Sequence, residues 1–244
     1  MYADVPILPW TAELAASAGA LNDLKVGFSH DHEQAHPGYY SVILDNGVKT
    51  ELGVALRAGM GRFAFPAAAP RILLLKAAAS ATTNDPKRES DSSTIEVIGN
   101  HTITGAVHSG GFCQSDTNYI LYFAARFAKP FSSYGTWSGN QSGRTNPGAR
   151  SASGHRAGAY VSFASGADPI LMKIGISFVS VENARKNLSH EIPGWDFEAV
   201  RAAAKETWTQ MLERVQTEGG TPDQRVIFYT ALYHICLLYT SRCV

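Results

Sequence analysis

Cysteine is scarce in this chain of 244 residues, and neither sign of charge is in excess. Of the three cysteines, Cys236 and Cys243 fall in the terminal stretch "CLLYTSRCV". "CLLYTS" is what one reading frame of a common transposon-based sequencing adapter encodes. Residues 236–244 are therefore expected to be an adapter artefact, with the native chain reading to about His234 or Ile235. On that reading only Cys113 remains, which excludes a disulfide framework and a cysteine-based zinc site. Lys and Arg total 21, Asp and Glu total 21, and no basic cluster stands out. Counterion-driven nucleic-acid binding has no support, nor does attraction to an anionic membrane surface. No apolar run is long enough to span a bilayer. The opening "MYADVPILPW" has neither the basic n-region nor the apolar h-region of a signal peptide. It reads as the middle of a folded chain, with a short strand at Val5–Leu8 between two prolines.

What is present is an ordinary globular composition, 45% hydrophobic and 17% charged, long enough for one large all-β domain or two small ones. The first two-thirds is strand-like. In "YYSVILDNGVKTELGVALRAG", Tyr40, Val42 and Leu44 alternate with Ser41, Ile43 and Asp45. Asn46-Gly47 then predicts a hairpin with two positive φ angles. Further strands are predicted at "GRFAFP", "RILLLKA", "STIEVIGN", "HTITGAVHS", "NYILYFAARFA", "GAYVSFA" and "PILMKIGISFV". Their spacing and the Gly/Asn/Pro punctuation predict a mainly β fold, an antiparallel sandwich. Residues 132–158 are rich in Gly, Ser and Asn without periodicity and read as one long loop.

After residue 180 the period becomes helical. "SVENARKNL" starts a short helix with Ser180 as N-cap. A second, amphipathic helix is capped by Asp196. It carries Phe197, Val200, Ala204, Trp208, Met211, Leu212 and Val215 on one face and closes at Gly219-Gly220. A third begins with a capping box, Thr221 to Gln224, and Pro222 at its first turn. Its apolar residues surround it, so it expects burial on several sides, with His234 a satisfied core histidine.

Motif by motif, little of this carries chemistry. "GFSHDHEQAHPGYY" packs His30, Asp31, His32, Glu33 and His36 together. His32 and His36 have the i, i+4 spacing of a helical zinc site, but Pro37-Gly38 follows at once and argues against a helix. A polar loop before the hairpin is the preferred reading. "GMGRFA" runs into a strand, so it is no dinucleotide fingerprint. No G-x-S-x-G, P-loop or H-E-x-x-H is found. "SGGFCQS" lies between two strands and by composition reads as a sheet-edge bend with a buried cysteine.

Taken in order, "YADVPILP", "FSHDHEQAHPGYYSVIL", "TELGVALRAGMGRFAFP", "GGFCQSDTNYILYF", "KPFSSYGTW", "MKIGISFVSVENARKNLSHEI", "WDFEAVR", "EGGT" and "FYTALYH" carry a resemblance over about Tyr2 to His234. The chain resembles glycoside hydrolase family 92, the calcium-dependent exo-α-mannosidases. The resemblance implies a β-sandwich (supersandwich) over 1–180, incomplete at its N-terminus, and a helical linker over 181–220. Residues 221–235 would then be the first helix of an (α/α)6 toroid. It implies inverting removal of terminal α-mannose, with acid and base carboxyls roughly 6.5–9.5 Å apart, and bound calcium. The acid, the base and most calcium ligands belong to the toroid, so no catalytic residue and no metal ligand is assigned here, and the chain alone is expected to be inactive. Gly111, Phe112 and Cys113 become candidates for lining the sugar pocket. His30 and Glu33 match the F-S-H-x-x-E pattern and become candidates for the same substrate-binding role, or for bridging domains. His32 and His36 fall where the pattern is open, which weakens the metal reading and leaves a structured turn before a Tyr39–Asp45 strand. The implied partners are mannose-containing glycans, N-glycans or mannan, and the chain's own toroid. The implied location is periplasmic, cell-surface or secreted. The competing readings are a carbohydrate-binding sandwich without catalysis and a structural adhesion sandwich.

Overall fold

The computed structural model describes residues 4–14, 16–77, 93–110, 118–139 and 144–242. They form two antiparallel sheets. The smaller has five strands in the order β1 (Ile7–Trp10), β6 (Arg71–Lys76), β13 (Gly158–Phe163), β10 (Ser133–Trp137), β11 (Thr145–Pro147). The larger has nine, in the order β12 (Ser151–Gly154), β7 (Ser93–Ile98), β8 (Thr102–Gly110), β9 (Asn118–Phe127), β14 (Ile170–Ser177), β5 (Ala58–Ala64), β4 (Lys49–Val54), β3 (Tyr39–Leu44), β2 (Phe28–His36). Phe63, Ile95, Ile103, Phe123 and Phe127 from the large sheet meet Leu73, Leu75 and Val161 from the small one. This is the mainly β sandwich that the strand spacing predicts.

Among the described residues three helices lie on the outer faces of the sheets, and the fourth in chain order packs against the third. α1 (Ala18–Asp23), capped by Ser17 Oγ accepting from the Ala20 N–H at 3.2 Å, lies beside the small sheet. There Leu21 packs with Ile72, Leu74, Trp137 and Tyr160. Strand β6 is therefore buried along its whole length, which is why "RILLLK" reads as a continuous apolar run and not as an alternation. On the large sheet's outer face, Tyr39, Ala58 and Met60 pack with Leu188, Ile192 and Phe197. Those three come from α2 (Val181–Glu191), from its C-cap, and from α3 (Phe197–Leu212). The predicted caps are in place: Ser180 accepts from Asn183 N–H, and Asp196 from Ala199 N–H. In the capping box of α4 (Pro222–Arg242), Gln224 N–H donates to Thr221 Oγ1 and Thr221 N–H to Gln224 Oε1.

Several local expectations are corrected. Phe28–His36 is a strand, not a loop, and the turn is confined to Pro37-Gly38. In the next hairpin only Gly47 has positive φ, at +80°. Gly47 N–H donates to Leu44 O, and Leu44 N–H to Val48 O. That is a type I turn closed by a left-handed glycine, the three-residue alternative to the two-residue turn. The 132–158 segment is no single loop, since it supplies β10, β11 and β12. The edge strands β11 and β12 are small and polar, so no apolar alternation reveals them, and the interior β10, "SYGTW", is too short to show a period. The short strand foreseen at Val5–Leu8 is shifted to Ile7–Trp10. Helix α3 ends at Leu212, before Gly219-Gly220. Of its predicted apolar face only Phe197 and Ala204 are buried. In α4, Val226, Ile227 and Ile235 are exposed, and so is His234, which the sequence placed in a core. The helix runs on unbroken from Pro222 to Arg242.

Candidate functional site

Two separate regions hold the candidate residues. The first is the edge strand β2. Its pairing with β3 shifts register between Phe28↔Leu44 and Glu33↔Val42, so the strand bulges there. Bulges at edges re-aim side chains. Here the bulge brings His30 Nδ1 to 2.5 Å from Glu33 Oε2, with Phe28 edge-on to the imidazole at 5.4 Å. Across the hairpin, Tyr40 OH donates to Glu33 Oε1 at 2.6 Å. Glu33 lies opposite Val42, Thr50 and Phe63 in register. It therefore faces the same side of the sheet as the core, at the overhang beyond the smaller sheet, where Leu52 and Phe28 are also exposed. Asp31, His32 and His36 stand out in solvent and do not join this group. The hydrogen bond from Tyr40, and then that with His30, hold the Glu33 carboxyl below its usual range. Burial of Tyr40, and secondarily its bond to Glu33, push the phenol up to about 12. This predicts a titration result. Glu33→Gln removes the carboxylate contribution but not the burial, so the Tyr40 phenol should titrate below about 12 yet above 10.0. Ultraviolet difference titration of the variant reads this directly, and an unchanged curve would disprove the coupling.

The second region is the end of the large sheet where β8 leads out at Gly110 and β9 returns at Asn118. Gly111, Phe112 and Cys113 lie between them, outside the described residues. The strand ends around that connection are pinned. Ser109 Oγ donates to Asp4 Oδ1, and Tyr119 OH donates to Asp4 Oδ2 at 2.9 Å. Asp4 precedes β1, so one carboxylate ties both strands to the other sheet. Burial pushes its carboxyl up, against the pull of the two hydroxyls. Beside it, Phe178 meets Tyr119 edge to face at 5.6 Å. Phe178 and Val179 are 48% and 70% exposed where β14 ends, and Val54 and Leu56 are 48% and 77% exposed where β4 ends at the same side. Exposed apolar side chains therefore stand at this end of the large sheet, Phe178 beside Tyr119 and Val54 and Leu56 two strands further along.

The large sheet keeps these regions apart. From β9 to β2 the order runs through β14, β5, β4 and β3, roughly 24 Å along the sheet at about 4.8 Å per strand. Along the strands, Glu33 is level with Ile170, whereas Tyr122 is level with Ser177. His30 and Glu33 are thus brought together with each other but not with the Gly110–Asn118 end. Sequence reading missed Tyr40 and Asp4 as partners. Tyr40 was visible only once the hairpin was folded about Pro37-Gly38 so that Ala35 faces it. Asp4 had no sequence signal, because its partners are 105 and 115 positions away.

No group of three or more His, Cys, Asp or Glu able to hold a metal is found among the described residues. No helix among them is long and apolar enough to cross a membrane.

Comparison with known proteins finds relatives over nearly the whole chain. Residues 1–177 match the glycosyl hydrolase family 92 N-terminal domain, and residues 183–242 match the family 92 catalytic domain. An uncharacterized secreted glycosidase of Arthroderma benhamiae is 29% identical over 232 residues, covering 86% of this chain and 29% of that protein. A family GH92 inverting mannosidase of Bacteroides thetaiotaomicron superposes with a TM-score of 0.80 at 27% identity, over 96% of this chain and 29% of its own. A family GH92 alpha-mannosidase of the same organism gives 0.80 at 26% identity, over 95% of this chain and 31% of its own. The chain thus spans about three-tenths of the length of these relatives. The sandwich, the helices laid on its outer face and the match over residues 1–177 lead to one assignment: the chain belongs to glycosyl hydrolase family 92.

Proposed function

We propose that this chain is the sandwich and linker portion of a glycosidase that removes terminal α-mannose from N-glycans or mannan with inversion. The observation that carries the reading is the superposition of nearly the whole chain on mannosidases more than three times its length. In this reading the catalytic acid, the base and the calcium lie in a toroid beyond the residues described, and no catalytic step is assigned to this chain. Its own part is to supply a wall of the sugar pocket, with Gly111, Phe112 and Cys113 as lining. His30 and Glu33, held by Tyr40, are further polar contacts to substrate or to the neighbouring domain. In this reading the toroid covers the exposed apolar side chains of Val54, Leu56, Phe178 and Val179 at that end of the sheet. The proposed location is outside the cytoplasm, periplasmic, cell-surface or secreted, in keeping with the secreted relative.

The experiment compares the purified 244-residue chain with a longer polypeptide that adds the toroid. Both are assayed for mannose release from α-mannosides, with and without a calcium chelator. The chain alone should release none. The longer polypeptide should release β-configured mannose and stop when calcium is removed. Mannose release by the chain alone, or inactivity of the longer polypeptide on every α-mannoside, would overturn the reading.

A further inference from the structure

Helices α2 and α3 are fastened to the sandwich by contacts of an unusually direct kind, whereas α4 is not. Gly175 on β14 lies so close under α2 that a Cβ there would stand 2.3 Å from Ala184 O and 2.7 Å from Leu188 Cβ. Asn187 Nδ2 donates to Ile176 O at 2.8 Å, and Glu191 Oε2 accepts from the Arg57 N–H at 2.7 Å. The corner between α2 and α3 is held by Lys173. This side chain rises from the middle of the large sheet, 3% exposed, and donates to the carbonyls of Ile192, Pro193 and Gly194 at 2.6, 3.0 and 3.2 Å. Its ammonium also lies 4.6 Å from the centre of the Trp195 ring. An ammonium has three donors, and all three are used on one turn of backbone.

Helix α3 has its own fastening. Arg62 on β5 pairs with buried Glu51 and reaches Glu198 at 2.9 Å, with its guanidinium 4.3 Å over the Phe197 ring. Arg201 lies 4.1 Å over Tyr39 of β3. Beyond Leu212 such contacts end. Glu213, Arg214, Val215, Gln216, Glu218, Gly219 and Gly220 are exposed. Gly219 and Gly220 both have positive φ, +78° and +70°. Helix α4 meets α3 through Trp208 against Tyr233, 4.8 Å between ring centres, and Tyr229 OH donates to Val215 O.

We propose that α2 and α3 belong mechanically to the sandwich and that the joint of this protein is the 213–220 segment, about which α4 and whatever follows it turn. The family match to the catalytic domain begins at residue 183, so sequence similarity places the boundary at the start of α2, whereas the physical joint lies two helices later, after both α2 and α3. Local opening follows the number of buried contacts that must break. Opening α2 or α3 exposes Lys173, Leu188, Ile192 and Phe197, whereas turning at 213–220 exposes none of these.

The test is limited trypsin digestion of the chain, read by mass spectrometry, alongside hydrogen exchange. Trypsin can cut this region after Arg185, Lys186, Arg201, Lys205, Arg214 or Arg225. The first cut there should fall after Arg214, and amides of α2 and α3 should exchange at least about tenfold more slowly than those of 213–220. Cutting after Arg185, Lys186, Arg201 or Lys205 as early as after Arg214, or exchange of α3 together with 213–220, would overturn the proposal. Lys173→Met should bring cuts after Arg185 or Lys186 in α2 and faster amide exchange at the 192–196 corner, while Lys129→Met, at an exposed pair with Asp168, should do neither. If Lys173→Met does not fold, Glu198→Gln gives the second reading. It removes one surface link of α3 and should raise α3 exchange while leaving β14 protected. An unchanged α3 in that variant would count against the fastening.

Discussion

Replacing Glu51 with glutamine is expected to cost about 3–5 kcal/mol at neutral pH, the usual loss when one partner of a buried ion pair is removed. Glu51 is buried and takes two bonds from Arg62, Nε to Oε2 at 2.8 Å and Nη2 to Oε1 at 2.9 Å. Tyr39 OH adds a third at 2.9 Å. Chiefly the Arg62 bonds, against the opposing effect of burial, hold its carboxyl down at about 2, from an ordinary 4.5. A carboxylate whose folded value lies below its unfolded value adds stability above the unfolded value. It loses that stability as pH falls through the folded one. A drop of this size corresponds to about 3 kcal/mol, in line with the deletion figure. The gap between wild type and Glu51→Gln should therefore be full above about pH 5 and close progressively towards pH 2. Urea unfolding at a series of pH values measures it. A gap of constant size down to the lowest pH would show that glutamine disturbs packing and not the charge pair. Because Arg62 also holds Glu198, the variant should loosen α3 as well as the sheet.

Trp137→Ala should be as damaging, about 3–5 kcal/mol for the lost ring and its cavity. Trp137 is fully buried. Its ring lies against bare backbone of β13: a Cβ on Gly158 would come within 2.1 Å of an indole carbon. No side chain is therefore available at Gly158 to move into the space. The indole Nε1 also donates to Asn22 Oδ1 at 2.9 Å, so the deletion leaves a buried amide oxygen without that donor, which costs about a further 1–3 kcal/mol. Trp137→Phe separates the two effects. It keeps a ring on Gly158 and loses the hydrogen bond, and should cost less than the alanine variant. Equal losses for alanine and phenylalanine would mean that the hydrogen bond to Asn22, and not the ring's volume, fixes the small sheet's outer side.

How far the sequence carried differs by element. Alternating strands with a buried face, such as "STIEVIGN" at β7, were legible because a period of two needs only one core face to produce it. Helix starts were legible because a cap is a local hydrogen bond within four residues. The strands β11 and β12 were not, since their residues are small and polar and their partners lie elsewhere in the chain, and β10, "SYGTW", is too short to show a period. At the candidate site, His30 and Glu33 were seen as a spacing, but their contact depends on a bulge in β2 and on Tyr40 from the next strand. The end of α3 was misplaced at Gly219-Gly220 because the apolar pattern continues through Val215, which turns out to be exposed.

By itself the sequence determined the fold class, the caps and the family to which the chain belongs, all of which rest on local periods, short-range hydrogen bonds and ordered motifs. Only the tertiary structure decided that Lys173 and Arg62 lock the helical corner to the sheet, and that Asp4 ties Ser109 and Tyr119 across the sandwich. It also decided that the His30–Glu33 group stands apart from the Gly110–Asn118 end. Each of these depends on which strands become neighbours, and strand order is set by the packing of two whole sheets and not by any segment's own residues.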